Sequence, residues 1–490
     1  MGIVIKQSIK NTITTFLGFG IGALNTLFMY PYFLGKEYFG LTGYVLSAAN
    51  ILYPIMSFGI QNTLIKFFNE NNKTEQELNS YMTYMLLVPL FFITPLMVLF
   101  YVFYDAISAY ESQENPIINS FVWIIPIIAV FIGYFEIFYA WLRAHMKSVF
   151  GSFVKEVFVR ILITILLFGV YFEYITPSDF IYSLVLVYGI SLMLIVFYAN
   201  KVKKIVLHFK TPKQSKAILT YTVFIILSAS IANMLLDIDK YMIKHYMKID
   251  NIAFYSVAIF IAMVISVPSR AMHQITYPIT AKLMSENKWQ ELNDLYKKSS
   301  ITLQVVGGLI LLGILVNINQ LYLMLPPEYS QGLFVVITIG LSKYFDLILG
   351  NNNAIIFNSK YYRAVLILGL LLVVLIVLLN MYFIPNFGLN GAALATLIAI
   401  TLYSLAKLLF VVLKMKLFPF TIKTVLSLVI VVVSFLVFYY WDFNFHPFVN
   451  IILKSILVTM FYLGLSYYFK ISSDINFVMD SIFKKLVRNK

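Results

Sequence analysis

The first 33 residues, MGIVIKQSIKNTITTFLGFGIGALNTLFMYPYF (1–33), place Lys6 and Lys10 ahead of one long apolar run. The run is too long for the core of a signal peptide, and no clear small-residue cleavage site follows it. About 20 apolar residues in a helix cross the hydrocarbon core of a bilayer, which is roughly 30 Å thick. We therefore expect this segment to remain in the protein as a first membrane crossing.

The composition extends this expectation to the whole chain. Of 490 residues, 61% are hydrophobic and 12% are charged, and the mean hydropathy is +0.86. Such values are typical of repeated apolar spans and exclude an ordinary soluble domain. The chain has no cysteine and only five scattered histidines, so we expect no disulfide, metal site or cofactor.

Fourteen apolar spans follow one another along the chain, each long enough to form a membrane helix. The predicted fold class is therefore an all-α polytopic membrane protein with about 14 transmembrane helices. The predicted spans are 11–34, 43–65, 81–104, 117–141, 155–173, 179–199, 217–238, 252–275, 301–324, 332–353, 363–383, 389–413, 422–441 and 447–468.

The charges in the connections predict the orientation, because cytoplasmic loops carry an excess of Lys and Arg. The segment 201–216 has six lysines and no acid, whereas 104–116, 172–179 and 325–332 have acids and neither Lys nor Arg. We expect both termini to be cytoplasmic. The net charge of +14 then reflects this asymmetry and attraction to membrane lipids, and no nucleic-acid partner is expected.

The connections also limit the function, since none exceeds about 25 residues. A membrane glycosyltransferase or ligase would be expected to carry a large loop or soluble domain. An ATP-driven pump needs a phosphate-binding glycine-rich loop, which the sequence lacks. We therefore expect a transporter rather than an enzyme.

A weak internal repeat predicts the domain organisation, because transporters are often built from related halves. A shift of 213 residues sets 33–64 against 246–277 and places Gln61 on Gln274. We predict two six-helix bundles followed by an extra helix pair and a basic cytoplasmic tail. The predicted boundaries are 1–210, 211–416, 417–470 and 471–490.

Three stretches carry a resemblance to a known family: NTITTFLGFGIGALNTLFMYPYFLGKEYFGLTGY (11–44), FGIQNTLIKFF (58–68) and IDKYMIKHYMKIDNIAFYSVA (238–258). They resemble polysaccharide flippases of the multidrug/oligosaccharidyl-lipid/polysaccharide (MOP) superfamily. The resemblance implies a transporter of the bacterial inner membrane that moves undecaprenyl-pyrophosphate-linked oligosaccharide from the cytoplasmic to the periplasmic leaflet by alternating access. It further implies H+ or Na+ as a coupling ion and a polysaccharide polymerase as a candidate partner.

Two other transport functions fit the same superfamily. One is that of the lipid II flippases, which this architecture resembles and in which an extra helix pair helps to form a lipid-facing groove. Spans 13 and 14 could be such a pair, so a lipid II flippase is an alternative function. A drug or cation antiporter would be expected to present an acidic cavity. The basic candidate residues described below outnumber the acidic ones, which favours an anionic substrate.

Ionisable residues inside the spans are the candidate site residues, because each is costly in lipid and is expected to face a cavity or a partner. Arg270 is the leading candidate, since the resemblance implies that a basic residue here contacts the substrate phosphate and Pro268 can break its helix. Its alternative is an Arg that reaches the membrane interface. Lys343 and Asp346, three residues apart, predict either a structural pair or an ion-coupling site. The run 351–353 is interpreted as a helix exit, and a sugar site is its alternative.

Two further spans carry candidates. Glu136 and Arg160 lie at similar depths in consecutive spans, so we expect an interhelical salt bridge, with substrate contact or ion coupling as the alternative. Lys454 has no acid within one helical turn. It is a candidate for lining a groove or for reaching a lipid phosphate.

The connection after span 7 is the predicted outer segment that carries lysines. It contains Asp237, Asp239, Lys240, Lys244 and Lys248, and a helix continued outward would place the three lysines on one face. We predict substrate contact by Lys240 and Lys244 and gating by Asp237 and Asp239 at an outer cavity mouth. The alternative is a helix end whose charges pair with one another in water.

Overall fold

The computed structural model describes residues 3–443 and 445–488, and within these ranges every regular element is a helix and none is a strand. Since a bilayer leaves no water for backbone groups, helices satisfy their own hydrogen bonds, and the predicted all-α class is confirmed. The side chains that lie outside the description are those of residues 3–6, 8, 9, 224–236, 362, 366, 482, 483 and 485–488. The predicted cytoplasmic cations Lys6, Lys485, Arg488 and Lys490 are therefore outside it.

The helices form two compact units, Met1–Ser256 and Val257–Lys490. The helices of the first unit are α1 (Ile3–Leu24), α2 (Gly35–Met56), α3 (Ile60–Asn71), α4 (Glu75–Val102), α5 (Tyr104–Glu111), α6 (Ile124–Ala144), α7 (Ser148–Phe153), α8 (Val159–Tyr171), α9 (Pro177–Val202) and α10 (Ser215–Ile243). The stretches Asn25–Leu34 and Val154–Phe158 are π-helical, and Pro116–Phe121 is a 3₁₀-helix.

The boundary between the units falls inside α11 (Asp250–Met263). The helices of the second unit are α12 (Val267–Ser285), α13 (Trp289–Tyr322), α14 (Leu333–Leu347), α15 (Asn352–Asn358), α16 (Tyr362–Met415), α17 (Ile422–Tyr439), α18 (Pro447–Tyr468) and α19 (Ser473–Arg488). The stretches Val264–Ser266 and Pro327–Gly332 are 3₁₀-helices.

Helix length and hydropathy support membrane crossings throughout the described residues. There, nine helical stretches are apolar and long enough to cross a membrane, and a tenth is the bent pair Pro327–Leu347 and Asn352–Asn358. The stretches Lys10–Asn71 and Arg363–Met415 have 62 and 53 residues. Because about 20 residues make one crossing, each has the length for two of the predicted spans. This arrangement is consistent with fourteen transmembrane helices, and the exact count stays a prediction.

The first unit packs α2 between α6 and α10, and α10 also contacts α3. For this reason the boundary between the compact units lies after α10, downstream of the predicted 210/211. The division into two related six-helix bundles was predicted from the internal sequence repeat, and it stays a prediction.

The second unit contains the predicted extra pair, α17 and α18, packed on α13. Three hydrogen bonds fasten the pair: Gln304 Nε2 to the Thr424 carbonyl oxygen at 2.9 Å, Tyr462 OH to the Val305 carbonyl oxygen at 3.1 Å, and Asn317 Nδ2 to Ser455 Oγ at 3.0 Å. Polar contacts of this kind hold membrane helices together where hydrophobic association is weak. The predicted basic tail forms the helix α19.

Candidate functional site

A cavity of about 370 Å³ lies within the second unit. Arg270 and His273 reach it from α12, and Lys343 and Asp346 reach it from α14. Asn351 and Asn353 also line it, and its further polar side chains are Ser266, Ser269, Gln274 and Thr276. The structure therefore brings together three of the predicted site residues, Arg270, Lys343 and Asp346, which are separated by up to 76 positions in the sequence.

Two interrupted helices shape this cavity. The helix that begins at Asp250 changes to a 3₁₀ turn at Val264–Ser266, directly before the predicted breaking residue Pro268. The second interruption bends α14 against α15 by 50°. Broken helices at membrane depth expose backbone groups and are common at transporter binding sites.

Gly350 makes the second interruption possible. Its φ of +58° lies in the left-handed region, and a Cβ there would meet the backbone nitrogen of Ser300 at 2.6 Å. Glycine is the residue that fits both constraints. Next to it, the Nδ2 atoms of Asn351 and Asn352 donate to Thr280 Oγ1 at 2.5 Å and to Tyr296 OH at 2.7 Å. The run 351–353 is therefore a buried polar turn that begins the short helix α15.

Asp346 forms its ion pair with Lys407, not with Lys343 as expected. The Lys407 ammonium lies 2.9 Å from Asp346 Oδ1, and Ser404 Oγ donates to the same oxygen at 3.0 Å. Lys343 lines the same cavity. The expected direct ion pair was assigned to the wrong lysine, because the expectation considered only neighbours along one helix, whereas α14 packs against α16. The alternative, an ion-coupling carboxylate beside Lys343, stays a prediction. The sequence analysis missed Lys407. This lysine lies inside span 389–413, and a charge inside an apolar span is the criterion that identified Lys454.

The predicted continuous face of Lys240, Lys244 and Lys248 does not form, because α10 ends at Ile243. Lys244 and Lys248 therefore lie between α10 and α11, which begins at Asp250. Lys244 is fully buried and forms an ion pair with Glu111. Its Nζ also donates to the Glu111 carbonyl oxygen at 2.9 Å. Glu111, from the connection after α4, was missed because nothing in its local sequence indicates a partner 133 residues away.

Two tyrosines complete the cluster around Glu111. Tyr44 OH donates to Oε2 at 2.5 Å and Tyr241 OH donates to Oε1 at 2.8 Å. Burial, the largest single cause, raises the pKa of Glu111. The hydrogen bonds from Lys244, Tyr44 and Tyr241 and the charge of Lys244 together outweigh it, so that the pKa lies below its ordinary value. The carboxylate is therefore charged at neutral pH.

The other predicted residues of the 237–244 segment have local partners. Ser47 Oγ donates to Asp237 Oδ1 at 2.9 Å, and Lys240 Nζ lies 3.8 Å from the same oxygen. Tyr255 OH donates to the buried Asp239 at 2.7 Å. Both carboxylates are thus held within the first unit.

Glu136 does not pair with Arg160. Its buried carboxylate accepts a hydrogen bond from Lys155 Nζ at 2.5 Å, while Arg160 lies 3.5 Å from Glu156, four residues earlier on the same helical stretch. The similar depth of Glu136 and Arg160 did not identify the partner, because Lys155 lies one and a half turns closer to the connection with α6. A salt bridge between α6 and the next span therefore exists, but its basic partner is Lys155 and not the predicted Arg160.

Lys454 also has a partner, Asp442, at 2.9 Å, and only 2% of its side chain is exposed. Asp442 lies in the loop between α17 and α18, so the lysine bonds a residue 12 positions earlier. In this structure Lys454 therefore takes neither of the two expected positions, lining a groove or reaching a lipid phosphate, because its ammonium is buried against a loop carboxylate. The cavity that holds Arg270 does not include Lys454 among its lining residues.

Comparison with known proteins adds to this geometry. The family model described as "Polysaccharide biosynthesis protein" matches residues 6–284, more than half of the chain. The chain belongs to that family. No curated protein matches the chain closely enough to be informative.

Solved structures share the fold of this family member. The lipid II flippase MurJ in an inward closed conformation matches with a TM-score of 0.73 and 18% identity, over 94% of this chain and 98% of that one. An inward-facing multidrug resistance MATE family transporter of the MOP superfamily matches with a TM-score of 0.62 and 14% identity, over 83% and 94%. The predicted resemblance and transporter fold are confirmed; identities this low show the fold alone.

A third similar structure is a MOP superfamily transporter from Pyrococcus furiosus whose binding pocket is described as having reverse polarity. It matches with a TM-score of 0.61 and 14% identity, over 85% of this chain and 96% of that one. The same fold therefore carries pockets of different charge, and the side chains of each chain must identify its own substrate.

Proposed function

We propose that this protein is a flippase for undecaprenyl-pyrophosphate-linked oligosaccharide and that it moves the lipid from the cytoplasmic to the periplasmic leaflet by alternating access. The observation that carries the proposal is the charge of the cavity in the second unit. Arg270 and Lys343 line it, and Asp346, the carboxylate among its lining residues, already neutralises Lys407. The lining of the cavity therefore carries more basic than acidic side chains, which favours an anionic ligand.

The chemistry of a pyrophosphate headgroup fits this arrangement. Arg presents a planar set of donors that binds phosphate oxygens in pairs, and Lys presents a compact charge on a flexible stem. We assign Arg270 and Lys343 to the headgroup. Asp346 is the proposed ion-coupling residue for H+ or Na+, since a carboxylate between two lysines changes its charge balance when it binds a cation.

The buried cluster of Lys244 and Glu111 supports a different role for residues 237–244, which form the end of α10 and the residue after it. Lys244 is inaccessible to a ligand in this structure. We propose that Lys240, Lys244, Asp237 and Asp239 stabilise closure at the predicted outer side and are released when the transporter opens. Glu136 and Lys454 are proposed to be structural, since each is buried in its own ion pair.

The similar structures leave a second anionic substrate to be tested. MurJ is by name a lipid II flippase, and its match covers 94% of this chain and 98% of that one. The MATE transporters are by name multidrug resistance proteins. The basic cavity favours either lipid-linked headgroup over a cationic drug.

Lipid analysis of a strain that lacks this protein tests the proposal. Undecaprenyl-linked lipids are extracted and identified by mass spectrometry, with the strain complemented by wild type or by Arg270→Ala. Accumulation of a lipid-linked multi-sugar repeat unit, relieved by wild type and not by Arg270→Ala at equal protein level, is the expected result. Accumulation of lipid II would assign the protein to peptidoglycan synthesis, and no accumulated lipid would favour the drug antiporter.

A further inference from the structure

The buried ammonium of Lys407 lies one residue layer behind the cavity. Only 2% of its side chain is exposed. Its Nζ lies 2.9 Å from Asp346 Oδ1, 3.2 Å from Asn353 Oδ1 and 4.4 Å from the centre of the Tyr403 ring. A carboxylate, an amide oxygen and an aromatic face together fill the directions in which an ammonium group interacts.

The two oxygen partners of Lys407 both face the cavity. Asp346 and Asn353 line it, and 42% of the Asp346 side chain is exposed. The carboxylate is thus placed between the buried ammonium and the cavity contents. An anionic group that enters the cavity meets Asp346 beside the positive charge that would attract it.

A second ion pair in the same unit provides a direct contrast. Lys454 and Asp442 have the same separation of 2.9 Å, and their exposed fractions are 2% and 47%. Neither residue lines the cavity. The geometry of a buried lysine with a half-exposed aspartate is therefore present twice, once against the cavity and once away from it.

We propose that Asp346 is an internal competitor of the substrate phosphate and that Lys407 is a headgroup-binding residue which Asp346 occupies in the empty transporter. This inference rests on the proposed function. Carboxylate and phosphate oxygens are equivalent acceptors for an ammonium group. When a pyrophosphate enters, Lys407 exchanges one anionic partner for the other, which its four-carbon stem allows without movement of the backbone.

The exchange limits the affinity of the site. Binding of the headgroup must break the ion pair between Lys407 and Asp346. Only the difference between the interaction free energies of Lys407 with the phosphate and with Asp346 then contributes to affinity. When the headgroup leaves, Asp346 recaptures Lys407 and no unpaired charge remains buried. The internal partner thus favours release, which a transporter needs as much as binding.

Equilibrium binding to the purified full-length protein in phosphatidylcholine nanodiscs tests the exchange. The probes are farnesyl pyrophosphate and inorganic pyrophosphate, which separate a lipid-borne headgroup from a free anion. Asp346→Asn removes the competing charge and should tighten binding of farnesyl pyrophosphate by about tenfold, a typical coupling between linked sites. Lys407→Gln should weaken it by about the same factor, and the gain from Asp346→Asn should vanish in the double variant.

Asp442→Asn is the matched control, because it leaves Lys454 unpaired in the same way and should not change the affinity for either probe. Should Asp346→Asn not fold, Ser404→Ala removes the hydroxyl that holds Asp346 Oδ1 and should tighten binding by about threefold. Unchanged or weaker binding in a folded Asp346→Asn or Ser404→Ala variant would overturn the inference, as would a gain that persists without Lys407.

Arg270→Ala separates the two levels of the proposal. If wild type binds farnesyl pyrophosphate and Arg270→Ala weakens it, while Asp346→Asn gives no gain, then the flippase proposal stands and the exchange does not. If wild type binds neither probe, the proposed function and the exchange both fail. Equal binding of both probes would make the site one for the free anion and would remove the lipid from the proposal.

Discussion

Replacement of Glu111 by glutamine should loosen the packing of α10 against α2. In the native protein the carboxylate neutralises the fully buried Lys244 and accepts hydrogen bonds from Tyr44 and Tyr241. Glutamine keeps the size of the side chain and removes its charge. The ammonium of Lys244 then remains buried without a counter-charge.

The size of the effect follows from these contacts. Removal of one partner from a buried ion pair costs about 3–5 kcal/mol. Lys244 would retain its 2.9 Å bond to the carbonyl oxygen of residue 111 and its aromatic neighbours, the rings of Tyr44, Tyr110 and Tyr241. We therefore expect the lower limit, about 3 kcal/mol, which corresponds to a roughly 150-fold increase in the population of locally open molecules.

The absence of cysteine from the chain provides a clean assay. Ser256 is buried, and its hydroxyl lies close to Gly43, beside Tyr44. Ser256→Cys is nearly isosteric and introduces a single thiol whose rate of alkylation reports local opening. Glu111→Gln should raise that rate by roughly 150-fold when opening precedes labelling.

Two further variants determine whether the reasoning holds. Glu75→Gln breaks an ion pair with Lys203 at the protein surface and should leave the labelling rate unchanged. The double variant Glu111→Leu with Lys244→Met replaces the pair by apolar groups and should restore slow labelling. An unchanged rate in Glu111→Gln would show that the ion pair does not hold α10, and faster labelling in Glu75→Gln would show that the assay reports general destabilisation.

Three other predictions follow from the same structure. Gly350→Ala should lower stability by about 2 kcal/mol or more, because its φ is +58° and the new Cβ meets Ser300; an unchanged Tm in detergent would contradict this. Glu136→Gln should cost only about 1 kcal/mol, since the released Lys155 is half-exposed; a loss in Tm equal to that of Glu111→Gln would show otherwise. Because the pKa of Glu111 is lowered, its contribution is complete above the unfolded pKa of about 4.3 and is lost as pH falls through the folded value. The Tm difference between wild type and Glu111→Gln should thus be constant from about pH 8 to 5 and shrink below about pH 4. If that difference already shrinks near pH 6, the pKa of Glu111 is raised and not lowered.

Three buried lysines, Lys244, Lys407 and Lys454, each pair with a carboxylate of another segment. The sequence identified Lys244 and Lys454 as unusual, because a charge in or beside an apolar span is costly. It did not identify their partners, Glu111 and Asp442, which lie 133 and 12 positions away in the sequence. For Asp346 it predicted a pair with Lys343 on the same helix, whereas the partner is Lys407, 61 positions away. Proximity along one helix is a local property, whereas these pairs depend on which helices pack together.

The sequence by itself determined the membrane class, the helical spans, the family resemblance and the candidate residue Arg270, because hydropathy and helical period are properties of neighbouring residues. Only the tertiary structure decided that Arg270, Lys343 and Asp346 share one cavity and that Lys407 lies behind it. Only the structure also showed that Lys244 is closed off by Glu111. In a bilayer each buried charge must find a partner, but the partner is whichever charge the packing of the helices brings within reach.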